Sequence, residues 1–182
     1  MAILKKGLVQ VYTGSGKGKT TAAWGIACRM AGAGGRVYIC QFLKPASQKS
    51  GEMVCGQRCG DRITIERLHT AWPNKPLPFE GRLVGRMQKA IAKKLGEIRE
   101  LAAEGKYDLM ILDEIIVCMV WKLARREDIW SIIEARQKHV ELILTGRGAD
   151  KELTRKADLV TEMMEIKHPF QMGVKARKGI EY

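Results

Sequence analysis

The stretch that decides the fold is 13–21, which reads "TGSGKGKTT". It contains three glycines and two lysines, and it directly follows the apolar run "LVQVY" (8–12). A glycine-rich turn lets several backbone N–H groups point into one concave space, and a helix that begins there adds the positive end of its dipole. The stretch therefore predicts a phosphate-binding loop between a strand and a helix.

The loop is close to the P-loop pattern G-x-x-x-x-G-K-[ST] without matching it fully. Gly18, Lys19 and Thr20 fit the last three positions, whereas Thr13 stands where the pattern has its first glycine. We expect Gly14 and the glycine two residues later to supply the flexibility instead. Lys19 is predicted to reach phosphate and Thr20 to offer its hydroxyl to Mg²⁺. The alternative, a purely structural glycine turn, is less favoured because a strand precedes the loop and a helix follows it.

A second motif, "DLMILDEI" (108–115), places two carboxylates directly after an apolar run. In P-loop proteins an acid at this strand end holds Mg²⁺, directly or through water. Asp113 or Glu114 would thus complete a metal site with Thr20. Taken alone, the motif could equally be a strand that ends in surface acids. For Glu114 an ATPase base, a metal contact and a ribose contact all remain open.

Two arginines and a lysine are weaker candidates. Arg147 in "LTGRG" (144–148) follows another predicted strand, so it is placed either against a nucleotide or in solvent. Lys17 is a second cation within the loop. Arg29 lies ten residues beyond Lys19 on the predicted first helix, and its spacing alone gives little support for a role.

Short apolar runs alternate with helical patterns along the 182 residues. The predicted strands are 7–12, 36–42, 62–68, 107–114, 140–146 and 157–163, and the predicted helices are 20–31, 82–104, 126–137 and a short segment around 152–156. Residues 44–60 are predicted to form a loop and 70–81 an irregular, proline-rich segment. This alternation predicts a single α/β domain over 1–182, with a mostly parallel sheet covered on both faces. Ligands of such sheets bind outside the carboxyl ends of the strands.

The composition points to an anionic partner and to the cytoplasm. Lys and Arg number 32 against 20 Asp and Glu, so the formal net charge is +12. Such a balance suits phosphates, an acidic protein or simply a soluble basic surface. The five cysteines are odd in number, and Cys28, Cys40 and Cys118 lie in apolar runs, which predicts reduced and mostly buried thiols. No membrane association is expected, since no apolar stretch approaches the length of a membrane span.

Two rival functions follow from the residues themselves. A P-loop nucleotide kinase or ATPase would use the same loop and would yield ADP. An ATP-gated nucleic-acid-binding module would need a basic stripe interleaved with aromatic side chains. The seven Trp and Phe residues do not lie in basic clusters, so nucleic acid is not expected as a partner.

The pieces together resemble the P-loop type of ATP:cob(I)alamin (corrinoid) adenosyltransferase. The matching segments are "VYTGSGKGKTTAAWGIACR" (11–29), "VYICQFLK" (37–44), "DLMILDEI" (108–115), "ELILTGRGADKEL" (141–153) and "ADLVTEMMEIKHPFQMGVKARKGIEY" (157–182). Their order and spacing fit over essentially the whole chain. Many families share the P-loop, but the combination with "LTGR", "KHPF" and "GIEY" is much more specific.

The resemblance implies a RecA-like fold, usually a homodimer, that makes adenosylcobalamin from ATP and a Co(I) corrinoid, with Mg²⁺ (or Mn²⁺) as cofactor. Because Co(I) must be generated by a reductant, the net charge of +12 suggests an acidic flavoprotein reductase as a partner. The residues that the resemblance implies for the nucleotide site are Gly14, Ser15, Gly16, Lys17, Gly18, Lys19, Thr20 and Arg29, with Thr20 and either Asp113 or Glu114 at the metal. Thr21 and Arg147 are further candidates for nucleotide contact. Family members carry an aromatic pair in the loop that meets the corrinoid. The corresponding region here is "LHTAWPNKPLPF" (68–79), where Trp72 fits one member of the pair.

Overall fold

The computed structural model describes residues 2–44, 50–58, 60–68 and 82–181, and these ranges contain six β-strands and six α-helices. The strands are β1 (Val9–Thr13), β2 (Val37–Gln41), β3 (Ile63–Arg67), β4 (Leu109–Asp113), β5 (Glu141–Thr145) and β6 (Leu159–Glu162). The helices are α1 (Lys19–Gly32), α2 (Gly51–Arg58), α3 (Arg82–Glu104), α4 (Ile115–Val120), α5 (Arg126–Ala135) and α6 (Lys151–Lys156).

All six strands belong to one parallel sheet, in the order β3-β2-β4-β5-β1-β6. Every residue of β2, β4 and β5 is buried, as expected for central strands covered on both faces. The predicted α/β class with a mostly parallel sheet and helices on both faces is therefore confirmed. Each crossover returns the chain to the same end of the sheet, so all carboxyl ends lie along one edge.

Alternate residues of the strands pack into two separate cores. Ile39 and Ile111 face α1, which contributes Ala23, Trp24 and Ala27. The other face packs against α3, α4, α5 and α6. This period of two is what a strand with both faces buried requires.

Helix α3 has the bounds that the sequence predicts, Arg82 to Glu104. Its buried residues recur at helical spacing, and they are Met87, Ile91, Leu95, Ile98 and Ala102. The stripe faces the sheet and the opposite side is polar, so amphipathicity fixes both the helix and its orientation.

One helix contradicts the sequence-based assignment, and a second lies in a stretch for which the sequence analysis predicts no element. Residues 44–60 were expected to form a loop, but α2 occupies Gly51–Arg58. Its two glycines disfavour a helix, and packing compensates: Gly56 lies against Trp24 and Ile65. Helix α4, "IIVCMV", lies between the predicted strand 107–114 and the predicted helix 126–137, and four of its six residues are β-branched, which disfavours a helix.

The edge strand β6 differs from its neighbours, since all four of its residues are exposed. Cys40 and Cys118 are buried as expected, whereas Cys28 is exposed on α1. Within the described part of the chain, no helix is long and apolar enough to cross a membrane.

Candidate functional site

The carboxyl ends of four adjacent strands form the floor of the candidate site. The register pairs Gln41 of β2 with Asp113 of β4, and Tyr12 of β1 with Thr145 of β5. A cavity of about 380 Å³ opens above this floor. It is lined by Ser15, Gly16, Lys17, Gly18, Lys19, Thr20, Thr21, Leu43, Lys44, Ser50, Glu52, Arg67, Glu114, Arg147, His168, Ile180 and Glu181.

The glycine-rich loop connects β1 to α1 at this edge. Gly14 and Gly18 have φ angles of 96° and 118°, a region that side chains other than glycine rarely adopt. A Cβ on Gly14 would lie 2.4 Å from the carbonyl oxygen of Met163, and one on Gly16 would lie 2.7 Å from that of Met164. The N–H of Gly16 donates to the Met163 carbonyl at 2.7 Å. Glycine is therefore required here by conformation and by the close approach of the chain after β6.

Lys19 begins α1 and folds back over the loop. Its Nζ donates to the carbonyl oxygens of Gly14 at 2.7 Å and Gly16 at 2.6 Å, and the residue is buried. Burial lowers the pKa of Lys19, the charge of Arg147 lowers it further, and Glu114 opposes both effects. The ammonium group thus lies at the centre of the loop, where an anion would meet it.

Asp113 at the end of β4 accepts four hydrogen bonds. Its Oδ1 accepts from the hydroxyls of Thr20 and Thr145, both at 2.8 Å. Its Oδ2 accepts from Lys44 Nζ at 2.6 Å and from Gln41 Nε2 at 3.3 Å. The carboxylate is almost fully buried, so these donors offset the cost of removing its charge from water.

Glu114 has left-handed backbone geometry, with φ 66° and ψ 17°, and its N–H donates to Thr145 Oγ1 at 3.0 Å. This turn at the start of α4 directs the residue toward the cavity that it lines. Burial raises the pKa of Glu114 and the adjacent Asp113 raises it further, while nearby cations oppose the rise. An added cation in the cavity would therefore favour the ionised form of Glu114.

The remaining predicted residues divide into three groups. Lys17, Thr21 and Arg147 line the cavity together with Ser15, whose hydroxyl accepts from the N–H of Glu165 at 3.4 Å. Arg29 lies in the last turn of α1, is exposed and does not line the cavity; ten residues of helix place it about 15 Å from Lys19 along the axis. Trp72 lies outside the described residues. The functional roles of all these residues remain predictions.

Sequence reasoning missed several cavity residues. Lys44 follows β2 and Arg67 ends β3. Their position at the carboxyl ends of strands was the feature of the sequence that could have identified them as site residues. Arg67 donates to Gln41 Oε1 at 2.8 Å through its guanidinium. Among the described lining residues, five are Lys or Arg and three are Glu, so the lining carries a net positive charge that suits a polyphosphate.

The C-terminal segment also reaches this site. Lys17 Nζ donates to Glu181 at 3.0 Å and to the Ile180 carbonyl at 3.2 Å. Arg177 donates to Glu181 through its side chain and its backbone N–H, and these bonds together with Lys17 lower the pKa of Glu181 to about 2. We refer to this contact among Lys17, Arg177 and Glu181 as the tail latch.

The tail latch should be present at neutral pH and weaken in acid. Folding lowers the pKa of Glu181. The ionised carboxylate therefore stabilises the tail latch fully above the usual glutamate pKa of about 4.3, and this stabilisation is lost as the pH falls toward 2. At pH 7, Glu181→Gln should therefore release the exposed tail from Lys17 and speed tryptic cleavage at Lys178 by about two- to fivefold, the scale of an exposed ion pair. Glu134→Gln, at an ion pair whose residues do not line the cavity, is the matched control. Equal cleavage rates for Glu181→Gln and the unmodified protein would contradict the latch.

Comparison with known proteins places this geometry in context. Residues 5–182 match the family model described as ATP:corrinoid adenosyltransferase BtuR/CobO/CobP. The chain is 32% identical to the corrinoid adenosyltransferase CobA of Salmonella typhimurium, over 98% of this chain and 87% of the relative. It is 29% identical to the corrinoid adenosyltransferase of Escherichia coli K12 over the same shares, and 32% identical to that of a Sinorhizobium species over 98% and 81%. The chain therefore belongs to the family of ATP:corrinoid adenosyltransferases.

Proposed function

We propose that this protein transfers the 5′-deoxyadenosyl group of ATP to the cobalt of a Co(I) corrinoid and releases triphosphate. The observation that carries the proposal is that Lys19 and Thr20 line the cavity and that the Thr20 hydroxyl contacts Asp113, in a chain of this family. Cobalt attacks the 5′ carbon and the C5′–O5′ bond breaks. The bonding electrons leave with O5′, so triphosphate departs and cobalt becomes formally Co(III).

The residues of the cavity suit a leaving group better than a nucleophile. Co(I) carries no proton, so the attack needs no general base. What remains for the protein is to position the ribose carbon and to stabilise negative charge on the departing triphosphate. Lys17, Lys19 and the backbone N–H groups of the loop are the groups that we assign to this task, with Arg147 at the same edge.

We propose that Mg²⁺, with Mn²⁺ as a substitute, binds between Asp113, Glu114 and Thr20. The support is chemical: all three supply oxygen ligands, which Mg²⁺ prefers, and Thr20 and Asp113 are already in contact at 2.8 Å. When bound, the ion supplies positive charge to the phosphate oxygens. The protein's contribution is to hold the carboxylate of Asp113 in one orientation through Thr145 and Gln41.

The remaining elements of the proposal rest on family resemblance and on the surface. We propose that residues 1–182 form one domain, that the protein is a homodimer, and that Trp72 contacts the corrinoid. The exposed side chains of Leu159 and Val160 on the edge strand are consistent with a second copy of the chain packing there, and sedimentation at micromolar concentration would test the dimer.

The net charge of +12 supports docking of an acidic flavoprotein reductase, which predicts that electron delivery slows with added salt. We also propose a cytoplasmic location, consistent with the buried thiols of Cys40 and Cys118.

An anaerobic assay tests the reaction directly. The protein is mixed with Mg-ATP and chemically reduced Co(I) cobalamin, and phosphorus-containing products and the corrinoid spectrum are recorded. We expect one triphosphate for each light-sensitive Co–C bond formed. Release of ADP and phosphate without an alkylated corrinoid would contradict the proposal and indicate a phosphoryl-transfer enzyme, the alternative that the loop alone allows.

A further inference from the structure

Among the described residues that line the cavity, Lys44 and Arg67 are the cations that the proposed reaction has not used, and of the two Lys44 forms an ion pair with Asp113. It follows β2, and its Nζ lies 2.6 Å from Asp113 Oδ2, the shortest of the four hydrogen bonds that Asp113 accepts. The side chain of Lys44 is 24% exposed, whereas that of Asp113 is 1% exposed. The ammonium group therefore neutralises a buried carboxylate while keeping access to the cavity that it lines.

The backbone before Lys44 is built to bring it there. Leu43 has a φ of 56°, in the left-handed region that residues other than glycine rarely adopt. The preceding Phe42 donates its N–H to the Asp113 carbonyl at 2.9 Å, which anchors the turn beside the strand that carries Asp113. The hydrogen bond of Phe42 and the unusual backbone conformation of Leu43 together indicate that the fold fixes where the side chain of Lys44 points.

The two carboxylate oxygens of Asp113 have different hydrogen-bond partners. Oδ1 is bound by two hydroxyl groups, and Oδ2 is bound by the neutral amide of Gln41 and by Lys44. Within the described part of the chain, Lys44 is thus the cation in direct contact with this carboxylate. Lys19 differs, because its Nζ is held by the carbonyl oxygens of Gly14 and Gly16.

We propose that Lys44 is an exchangeable cation of the site. It neutralises Asp113 in the nucleotide-free protein, leaves that carboxylate when a divalent cation enters with ATP, and then binds the triphosphate as a further leaving-group contact. The inference rests on the proposed function, which places the cation at Asp113 and the triphosphate in the cavity.

Repulsion between like charges explains why Lys44 would leave Asp113 when a divalent cation binds there. Two cations held against one carboxylate oxygen repel each other strongly at a contact distance in a partly buried site. A lysine has a flexible stem and three donors, so it can move without losing hydrogen bonds when new acceptors arrive. Triphosphate supplies such acceptors in the cavity, and hydrogen bonds between ionised groups are the strong ones.

Two binding measurements test the exchange without relying on turnover. Mn²⁺ binding to the nucleotide-free protein is followed by the electron paramagnetic resonance of free Mn²⁺, and Mg-ATP binding is followed by calorimetry. Lys44→Met should bind Mn²⁺ about tenfold more tightly, because the competing charge is gone. It should bind Mg-ATP about tenfold more weakly, because the loss of its charged hydrogen bonds to the triphosphate, on the order of 100-fold, exceeds the gain at Asp113. Lys44→Arg keeps the charge and should restore Mn²⁺ affinity to that of the unmodified protein.

Lys94→Met is the matched control. Lys94 is 21% exposed and binds two carboxylates, Glu66 and Glu97, but it does not line the cavity. Neither affinity should change in this variant. If Lys44→Met does not fold, Lys44→Gln, which keeps an N–H donor without the charge, is expected to show the same two shifts.

Unchanged Mn²⁺ affinity or unchanged Mg-ATP affinity in Lys44→Met would overturn the exchange. Either result would leave the proposed function standing if the unmodified protein still forms triphosphate and a Co–C bond. Conversely, a protein that makes ADP would refute the proposed function, whatever the binding data show. The two failures are therefore distinguishable.

Discussion

Replacement of Lys19 by alanine is expected to reduce the rate of adenosyl transfer at least ~100-fold, the scale of losing one preorganised charge at a developing anion. The ammonium group is buried at the centre of the loop, and its two acceptors are loop carbonyls. Incoming phosphate can displace these neutral acceptors, so the charge is available to the leaving group. The measurement is the initial rate of Co–C bond formation at saturating Mg-ATP, under anaerobic conditions.

Two controls distinguish a loss of catalysis in Lys19→Ala from a loss of the folded state. Lys93→Ala removes an exposed lysine from α3 and should leave the rate unchanged. Thermal unfolding of Lys19→Ala should show that the fold persists, because Lys19 makes its hydrogen bonds within the loop rather than to the sheet. A folded Lys19→Ala variant with near-normal turnover would refute the leaving-group role of Lys19.

Replacement of Asp113 by asparagine is expected to lower both stability and activity. Four donors converge on this carboxylate, so an amide NH₂ in place of Oδ2 would point donors at Lys44 and Gln41. An unsatisfied buried donor costs about 1–3 kcal/mol in the free energy of unfolding. The rate should fall by about 100-fold or more, because the orientation of the proposed metal ligand is lost.

The control for this change is again Glu134→Gln, a carboxylate-to-amide replacement at an exposed ion pair. Such a surface change should alter the free energy of unfolding by no more than about 0.5 kcal/mol. Urea unfolding and initial rates are measured for both variants. If Asp113→Asn is as stable and as active as the control, the network around Asp113 does not support the site as we describe it.

The sheet edge was predictable because strand, loop and carboxylate signals are local. Gly18, Lys19 and Thr20 lie next to each other in sequence, and Asp113 ends an unmistakably apolar run. The parallel sheet then brings both motifs to one edge, where the Thr20 hydroxyl and Asp113 lie 2.8 Å apart. Helix α3 was equally clear, since its apolar stripe extends over its whole length.

The remainder depends on tertiary contacts that no local pattern encodes. Lys44 reaches Asp113 only through the left-handed turn at Leu43, and Glu181 reaches Lys17 from the far end of the chain. Helix α4 forms from β-branched residues because the turn at Glu114 and burial against the core outweigh propensity. For Arg29 the sequence and the structure disagree. The resemblance suggests that Arg29 binds the nucleotide, but the residue lies in the last turn of α1 and does not line the cavity.

The central claim is that the loop holds a leaving group, and the fate of one oxygen atom tests it. ATP labelled with ¹⁸O at the bridging 5′ position is incubated with the protein and Co(I) cobalamin, and the products are analysed by mass spectrometry. Our account predicts that the label leaves in triphosphate, because the C5′–O5′ bond breaks. Label retained in ADP or AMP, with no labelled triphosphate, would show that a phosphorus–oxygen bond breaks instead and would contradict the account.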